Sequence, residues 1–300
     1  MTSGGLTSAP TKARVTVGVV VKDCEGTILE TVKSIFAQNY PHELMEAIVI
    51  DGGSRDKTLS VITEAVSTTD VLVRIFSDGG RGLGYARQMV VDEAHGDYVI
   101  WVDGDATIPE HYVSNLVGFM ECHARHGGTR GTQEANNEKD LHNRIEHVSL
   151  ALRNAARDIF DTNGQIFRVE AIRQVGGFDL QIKRSGEDVD LILRMMKAGW
   201  SFCVIQVKFY HRIGSWKEVC RKRVRSGYGY HYRLHKHTVV TPLFYQILPL
   251  IFLVGIKDAI SAYRLTGRNV SFLLPFWYCV ICMPWCIGFC ESHIDGYGHA

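Results

Sequence analysis

Two patterns of apolar residues alternate along the first hundred residues of the chain. Short unbroken apolar runs, rich in Val and Ile, are typical of buried parallel strands. Between them, apolar residues recur every three or four positions, which predicts amphipathic helices. The predicted strands cover residues 15–21, 47–50, 71–76 and 98–102, and the predicted helices cover residues 27–38, 59–66 and 85–94. This order predicts an α/β fold with a mostly parallel sheet and right-handed crossovers.

The same pattern divides the 300 residues into four segments. Residues 1–12 are small and polar, lack the apolar core of a secretory signal peptide, and are expected to be a disordered lead-in. Residues 13–211 carry the strand–helix pattern and are predicted to form the main α/β domain. Residues 212–241 are basic and are predicted to form an amphipathic interfacial segment, whereas residues 242–300 are a hydrophobic, membrane-associated or transmembrane region.

Positive charge is concentrated in residues 212–241, although the whole chain has a formal net charge of only +1, which argues against a general nucleic-acid binder. The cations are Arg212, Lys217, Arg221, Lys222, Arg223, Arg225, Arg233 and Lys236, against the single acid Glu218. Interleaved Trp and Tyr residues permit either base stacking on a nucleic acid or binding at lipid headgroups. We favour the interfacial helix because apolar segments follow at once, and we expect no nucleic-acid partner.

The apolar region contains two candidate membrane segments. Residues 242–256 fall short of the ~20 residues that a span needs unless they continue to residue 263, whereas residues 270–290 are long enough. Lys257, Arg264 and Arg268 lie in the connection between them, so the positive-inside rule favours a cytoplasmic loop. One interfacial helix followed by one span fits this rule; two spans, or a buried soluble pair of helices, are the alternatives. We expect attachment to the cell membrane, with the main domain on the cytoplasmic face.

Carboxylates follow two of the predicted strands. Asp51 comes at the end of the second strand, and Asp103-Gly104-Asp105 follows the strand at residues 98–102. Ligands bind at the carboxyl ends of strands in open α/β sheets, and two carboxylates one residue apart can hold a hard divalent cation. A solvated turn is the alternative at both positions, because Asp and Gly are frequent in turns. The glycine-rich residues 79–84 lack the spacing of a dinucleotide-binding loop.

Eight short motifs follow one another along the chain, at residues 19–25, 34–41, 48–58, 82–87, 103–105, 163–165, 175–179 and 185–191. Their order and spacing resemble the family 2 glycosyltransferases, which have the GT-A fold. The resemblance extends over about two-thirds of the chain, from residue 15 to about residue 211. The resemblance implies a mixed, mostly parallel sheet with flanking helices, a catalytic domain at residues 13–211, and a nucleotide-sugar donor.

Sugar transfer from a nucleotide donor requires that the diphosphate is neutralised, the nucleoside is held and the acceptor loses a proton. The resemblance implies that Mg²⁺ or Mn²⁺ is bound by Asp105 and Asp103, with Asp103 also near the ribose. His211 is either a third group at the metal or diphosphate or an ordinary interface histidine. Asp51 is assigned to the nucleobase, with Asp23 beside it, where the family commonly has asparagine.

Arginines and a second pair of acids complete the expected site. Arg87 is expected to orient the acids or to bind the diphosphate, and a plain surface arginine is the alternative. The resemblance places Arg221 and Arg225 over the donor diphosphate. An inverting displacement needs one carboxylate to take the acceptor proton, and Asp188 is the predicted base, with Glu187 as the second candidate. Simple helix capping is the alternative for this pair, because acids are favoured at a helix N-terminus.

The sequence therefore predicts a membrane-attached, metal-dependent, inverting glycosyltransferase with a lipid-linked or other membrane-proximal acceptor. A polyprenyl-phosphate sugar synthase, in which the lipid phosphate itself is the acceptor, is one alternative. A sugar-nucleotide pyrophosphorylase has a similar core, but its N-terminal glycine-rich, basic loop is not found in this sequence. A non-enzymatic membrane adaptor is the alternative of another class, and the four acids in matching order argue against it. The sugar, the nucleotide and the oligomeric state are not predicted.

Overall fold

A computed structural model describes residues 14–157, 161–182, 184–236 and 248–296 of the chain. The strands are β1 (Val15–Val21), β2 (Met45–Asp51), β3 (Leu72–Ser77), β4 (Tyr98–Trp101), β5 (Ala106–Thr107), β6 (His126–Ala135), β7 (Gln165–Arg168) and β8 (Ser201–His211). The helices are α1 (Ile28–Phe36), α2 (Thr58–Val66), α3 (Leu83–Glu93), α4 (Tyr112–Cys122), α5 (Leu141–Ala155), α6 (Val169–Gln174), α7 (Glu187–Lys197), α8 (Trp216–Lys236), α9 (Leu248–Thr266) and α10 (Leu274–Ile294). The predicted lead-in, residues 1–12, lies outside the described residues.

One mixed eight-stranded sheet has the strand order β3-β2-β1-β4-β7-β6-β8-β5. Strands β1 to β4 pair in parallel, β6 pairs in parallel with β8, and β4–β7, β6–β7 and β5–β8 are antiparallel. Helices α1, α2 and α4 pack on one face of the sheet, and α3, α6 and α7 pack on the other. Because both faces are covered, the central strands are apolar without alternation. The predicted α/β fold, with a mostly parallel sheet and flanking helices, is confirmed.

Two predicted boundaries differ from the structure near the carboxyl edge of the sheet. Helix α3 begins at Leu83, two residues before the predicted start, because Gly82 turns the chain at a φ of +105° that other residues rarely adopt. The strand-like run at residues 202–210 predicts a strand that ends before His211, but strand β8 includes His211, because His211 pairs with Ala106 of the two-residue strand β5. A strand this short carries no periodicity, so its partner could not be predicted from local pattern.

The last three helices pack against one another and against the α/β domain. Helices α8 and α10 approach so closely that a Cβ atom at Gly227 would lie 2.0 Å from the Trp285 carbonyl oxygen. A Cβ atom at Gly288 would lie 1.8 Å from the carbonyl oxygen of Val224. Helix α9 packs on α5 through a small apolar core that also includes α10. Residues 242–247 of the first predicted membrane segment lie outside the described residues.

Within the described residues, one helical stretch, Asn269–Ile294, is long and apolar enough to cross a membrane by length and composition alone. It contains the predicted segment 270–290 and consists of a 3₁₀ turn, Asn269–Leu273, followed by α10. Buried positions make up 39% of its most apolar window, so a large part of its surface contacts protein.

Gly288→Ala is expected to lower the free energy of unfolding by about 1–3 kcal/mol, because the added methyl group would clash with the backbone of α8. Gly118 is a matched control in helix α4, since a Cβ atom there meets nothing within 4 Å. Gly118→Ala should stabilise the protein by up to about 1 kcal/mol through helix propensity. Denaturant unfolding of both variants measures the difference; equal stability of the two would contradict the tight α8–α10 contact.

Candidate active site

The loops after β1 and β2 hold the first two predicted site residues side by side. The Asp51 carboxylate ends β2, is almost fully buried, and accepts hydrogen bonds from the backbone N–H groups of Gly53 and Ser54, each at 3.1 Å. Asp23, with a left-handed φ of +50°, accepts a hydrogen bond from the Arg55 N–H at 2.8 Å. Asp51 therefore stabilises its own turn, and this turn lies beside Asp23.

Asp103, Asp105 and His211 form a second group at the same edge of the sheet. One side-chain ligand atom from each lies within 4.8 Å of the others. The His211 Nε2 atom is 3.2 Å from the Asp105 Oδ1 atom, because the β5–β8 pairing brings the end of β8 beside this turn. The Asn163 side-chain oxygen accepts the Asp103 N–H at 3.2 Å and fixes the turn. Two carboxylates and an imidazole form a donor set that suits Mn²⁺ or Mg²⁺.

This group adjoins the loops that hold Asp23 and Asp51. The Thr27 hydroxyl donates to the Gly104 carbonyl oxygen at 2.7 Å, which ties helix α1 to the acidic turn. A Cβ atom at Gly104 would lie 3.0 Å from the Cys24 sulfur, so a larger residue there would press against the loop after β1. The carboxylates after three parallel strands are thus brought to one cleft, as the rule for open α/β sheets predicts.

Arg87 links the two halves of the site. It lies in the first turns of α3, and its side chain is only 7% exposed. Its guanidinium pairs with Glu187 and lies 4.0 Å from the Asp188 Oδ2 atom and 3.9 Å from the Asp103 Oδ1 atom. A buried arginine with three carboxylates around it is not a plain surface arginine, because burial of the charge requires such partners. Arg87 therefore sets the distance between the Asp103 group and the Glu187–Asp188 pair.

The two acids of the pair have different environments. Both stand at the start of α7, after Gly186 with a φ of +100°. The Glu187 side chain is 1% exposed and paired with Arg87, and burial raises its pKa to about 7. The Asp188 side chain is 20% exposed, and burial also raises its pKa, although the charge of Arg87 opposes the shift. Asp188 is therefore the acid of the pair that a ligand in the cleft can reach.

Two charged residues that the sequence interpretation missed lie in the same cleft. Asp161 precedes the motif at residues 163–165, and its Oδ2 atom is 3.8 Å from the Nη1 atom of Arg130, which is buried in β6. Burial raises the pKa of Asp161, but the charges of Arg130 and Lys222 outweigh it and hold that pKa below its usual value. Only the pairing of distant strands brings Arg130 here, so no local motif could have indicated it.

The cations of helix α8 that act on the cleft acids are not the two arginines that the resemblance implied. Arg221 and Arg225, the predicted donor-binding residues, are exposed, and no described hydrogen bond or ion pair ties them to the acids. Lys222 instead contributes to the electrostatic field at Asp105 and Asp161, and Arg233 contributes at Asp188. Lys222 and Arg233 are eleven residues apart, three helical turns, and therefore share one face of the helix.

The C-terminal end of α8 holds the segment that precedes the acid pair. Lys236 Nζ lies 2.5 Å from an Asp179 carboxylate oxygen and 2.7 Å from one of Asp190. The Tyr232 hydroxyl donates to Asp179 at 3.1 Å, and a Cβ atom at Gly229 would lie 1.9 Å from the Ser185 carbonyl oxygen. Helix α8 thus contacts the chain on both sides of the Glu187–Asp188 pair and helps to hold the start of α7 in position.

Comparison with known proteins identifies this arrangement. The family model "Glycosyl transferase family 2" matches residues 16–175, and "Glycosyl transferase family group 2" matches residues 98–290. The glycosyltransferase AglE of Haloferax volcanii is 24% identical over 215 residues, which are 67% of this chain and 68% of AglE. The beta-1,3-glucosyltransferase WfaP of Escherichia coli, named for UDP-Glc and alpha-D-GlcNAc-diphosphoundecaprenol, is 27% identical over 36% of this chain and 41% of its own.

Solved structures share the fold at low sequence identity. The mannosyltransferase PcManGT of Pyrobaculum calidifontis, solved with GDP-Man and Mn²⁺, superposes with a TM-score of 0.67 at 17% identity over 96% of this chain and 89% of its own. TarS of Staphylococcus aureus, residues 1–349 with UDP-GlcNAc, gives a TM-score of 0.55 at 15% identity over 96% and 93% of the two chains. Since the first family model covers more than half of the chain and the fold agrees, this protein belongs to the family 2 glycosyltransferases, which act on nucleotide-sugar donors.

Proposed function

We propose that the protein transfers a sugar from a nucleotide-sugar donor to a membrane-proximal acceptor by a metal-dependent, inverting displacement. The observation that carries this proposal is the position of Arg87 between the Asp103 group and Asp188. The Nη2 atom of this guanidinium lies near Asp103 of the proposed metal group, and its Nη1 atom lies near Asp188, the proposed base. In-line displacement needs this separation, because the acceptor must approach opposite the leaving diphosphate.

The donor would lie along the carboxyl edge of the sheet. Asp51 and Asp23 frame the nucleoside end, where a carboxylate oxygen can accept a hydrogen bond from a base N–H. Asp103, Asp105 and His211 would hold Mg²⁺ or Mn²⁺, which when bound supplies charge neutralisation for the diphosphate. The exposed cations Arg221 and Arg225 remain the proposed cover of the diphosphate, and Lys222 joins them from the same helix.

The acceptor proton would move to Asp188. Its Oδ1 atom accepts the Val189 N–H at 2.8 Å, which leaves Oδ2 as the oxygen available to an acceptor hydroxyl. The raised pKa of Asp188 makes its carboxylate a stronger base than an ordinary aspartate. Glu187 is closed off from the cleft, and its role is to balance the charge of Arg87 and fix the position of that guanidinium.

The proposed acceptor is a lipid-linked sugar at the cell membrane, with the catalytic domain on the cytoplasmic face. The C-terminal apolar helices and the lipid diphosphate in the printed name of WfaP support this choice. Incubation of membranes with labelled donor should yield a glycolipid with an inverted anomeric centre, detected by lipid extraction and NMR. Its mass distinguishes a lipid-linked sugar from a polyprenyl phosphate as acceptor. Efficient labelling of a soluble acceptor without labelled glycolipid would overturn the choice of acceptor.

The pH dependence of transfer should respond to Asp161. Asp161 carries a negative charge that raises the pKa of Asp188, so Asp161→Asn should lower that pKa. A base works only when deprotonated, and its rate falls as the pH drops through its pKa. The acidic limb of the kcat profile should therefore move to lower pH in Asp161→Asn. The control is Asp140→Asn, at an exposed residue just before the N-terminus of α5, and it should leave the acidic limb in place. An acidic limb that does not move in either variant would argue against Asp188 as the titrating base.

A further inference from the structure

Helix α10 carries an exposed apolar stripe along its length. The stripe consists of Phe276, Val280, Met283, Ile287 and Ile294, all of which are exposed. At 100° per residue these positions lie within about 60° of one another around the helix. From Phe276 to Ile294 the stripe is about 27 Å long at 1.5 Å per residue. A soluble monomer rarely exposes a contiguous apolar surface of this size, so the stripe indicates a docking surface.

Helix α9 extends the same surface. Its exposed apolar side chains include Leu253, Ile256 and Ile260, spaced at three and four residues. Aromatic rings join α9 to α10 and to the 3₁₀ turn before it, with Phe252 and Phe276 centroids 5.5 Å apart and Tyr263 and Phe272 centroids 5.1 Å apart. We refer to the exposed apolar residues of α9, the 3₁₀ turn and α10 as the apolar face.

Exposed cations border the α9 side of the apolar face. Residues 270–290 contain no Asp, Glu, Lys or Arg, and the acids Glu291 and Asp295 that follow are each paired with a cation or a hydroxyl. On α9, Lys257 and Arg264 are exposed, each next in sequence to an exposed apolar residue. The acid Asp258 accepts a hydrogen bond from the Tyr278 hydroxyl at 3.0 Å, which directs it toward α10. An apolar surface bordered by exposed cations is complementary to an anionic lipid bilayer, whose headgroups attract Lys and Arg.

The packing of α8 decides how α10 can meet a bilayer. The two helices run in parallel and touch from end to end. Trp216 contacts Trp277 at the start, with ring centroids 5.4 Å apart, and His231 bonds Ser292 at 3.1 Å near the end. Helix α8 also carries exposed cations along this length, including Arg221 and Arg225. If α10 crossed the hydrocarbon core, α8 would have to enter it with these charges, which is strongly unfavourable.

We propose that the apolar face docks on the surface of an anionic lipid bilayer, with α10 lying in the interfacial plane and not across the membrane. The buried side of α10 stays packed on α8, and the opposite stripe enters the acyl boundary. Helix α8 then lies between the membrane and the acid cleft, with Lys222 and Arg233 on its cleft side. This inference concerns where the protein binds and is independent of the proposed transfer reaction.

Vesicle binding of the full-length protein without donor tests the docking surface. The protein should bind vesicles containing phosphatidylserine and bind neutral phosphatidylcholine vesicles at least tenfold more weakly. The double variant M283E/I287E should reduce the partition coefficient at least tenfold, because it places two acids in the middle of the stripe. Leu72→Glu, at an equally exposed apolar residue of β3, is the control and should bind like the unmodified protein. Equal binding of all three proteins, or no vesicle binding with dimerisation through the stripe, would overturn the proposal.

Insertion depth tests the orientation of α10. Tryptophan is introduced separately at Phe276 and at Met283, and its fluorescence quenching by brominated lipids is compared with the unmodified protein. An in-plane helix places both tryptophans at the same shallow depth. A spanning helix places Met283 near the bilayer centre, because it lies near the middle of Asn269–Ile294, and places Phe276 about 10 Å closer to the headgroups, since seven residues separate them. Different depths would overturn the in-plane orientation, and they would leave the proposed sugar transfer untouched.

Discussion

Asp188→Asn is expected to slow sugar transfer by about 10²–10⁴-fold, the usual contribution of a general base. The amide keeps the shape of the side chain and can still receive the Val189 N–H through its oxygen. It has no basic oxygen for the acceptor proton, so the loss should fall on kcat. Donor affinity, measured by calorimetry with a non-transferred nucleotide diphosphate and Mn²⁺, should stay within a few-fold of the unmodified protein.

Glu187→Gln is the matched comparison for this variant. Glu187 is fully buried against Arg87, so its replacement leaves an arginine without its main counter-charge and should lower the stability of the fold. The rate should fall less than in Asp188→Asn, since Glu187 does not reach the acceptor. Thermal unfolding of both variants separates the two effects. Near-normal transfer by Asp188→Asn would show that the proton goes elsewhere, and a larger rate loss in a stable Glu187→Gln variant would assign the base to Glu187.

Asp105→Asn is expected to weaken Mn²⁺-dependent donor binding by about 100-fold or more, because an ionised carboxylate is a far better ligand than an amide for a hard cation. The loss should appear in the dissociation constant for the nucleotide diphosphate measured with Mn²⁺, and should vanish when the comparison is made in EDTA. His211→Ala tests the third position of the same group. Asp140→Asn is the control; if Asp105→Asn bound the donor with unchanged metal dependence, the metal site would have to lie elsewhere.

The first half of the fold could be predicted because each strand is a local apolar run. Strands β1, β2 and β4 are buried on both faces, so each is an unbroken apolar run. Such a run predicts a strand without any knowledge of the strands that pair with it. Strand β5 is two residues long and exists only because β8 returns to pair with it. That pairing brings His211 to Asp105, and no local pattern around residue 106 predicts it.

The candidate site divides in the same way. Asp51, Asp103 and Asp188 lie at strand ends or at the start of a helix, and the local sequence pattern is enough to predict these positions. Arg130 and Asp161 meet only through the antiparallel pairing of β6 and β7, which joins distant parts of the chain. On helix α8 the cationic segment was evident from composition, but the face that each cation occupies depends on how the helix packs.

The C-terminal region shows the limit of composition most plainly. Residues 270–290 are apolar enough to predict a span, and the structure does contain a helix of sufficient length there. Composition cannot show that α10 has a polar neighbour along its whole length. The glycines that allow this contact, Gly227 and Gly288, lie in different segments of the sequence. Their role in helix packing is evident only from the structure, where each meets the backbone of the other helix.

The proposed reaction is the transfer of a sugar, in this cleft, from a nucleotide donor held by a divalent metal. The most direct test is nucleotide release from a panel of UDP- and GDP-sugars, with membranes as the acceptor source and Mg²⁺, Mn²⁺ or EDTA present. We expect rapid release from at least one donor with a divalent metal, loss of that release in EDTA, and loss of it in Asp188→Asn. Release that is equal with metal and with EDTA, or equal in the unmodified protein and Asp188→Asn, would contradict it.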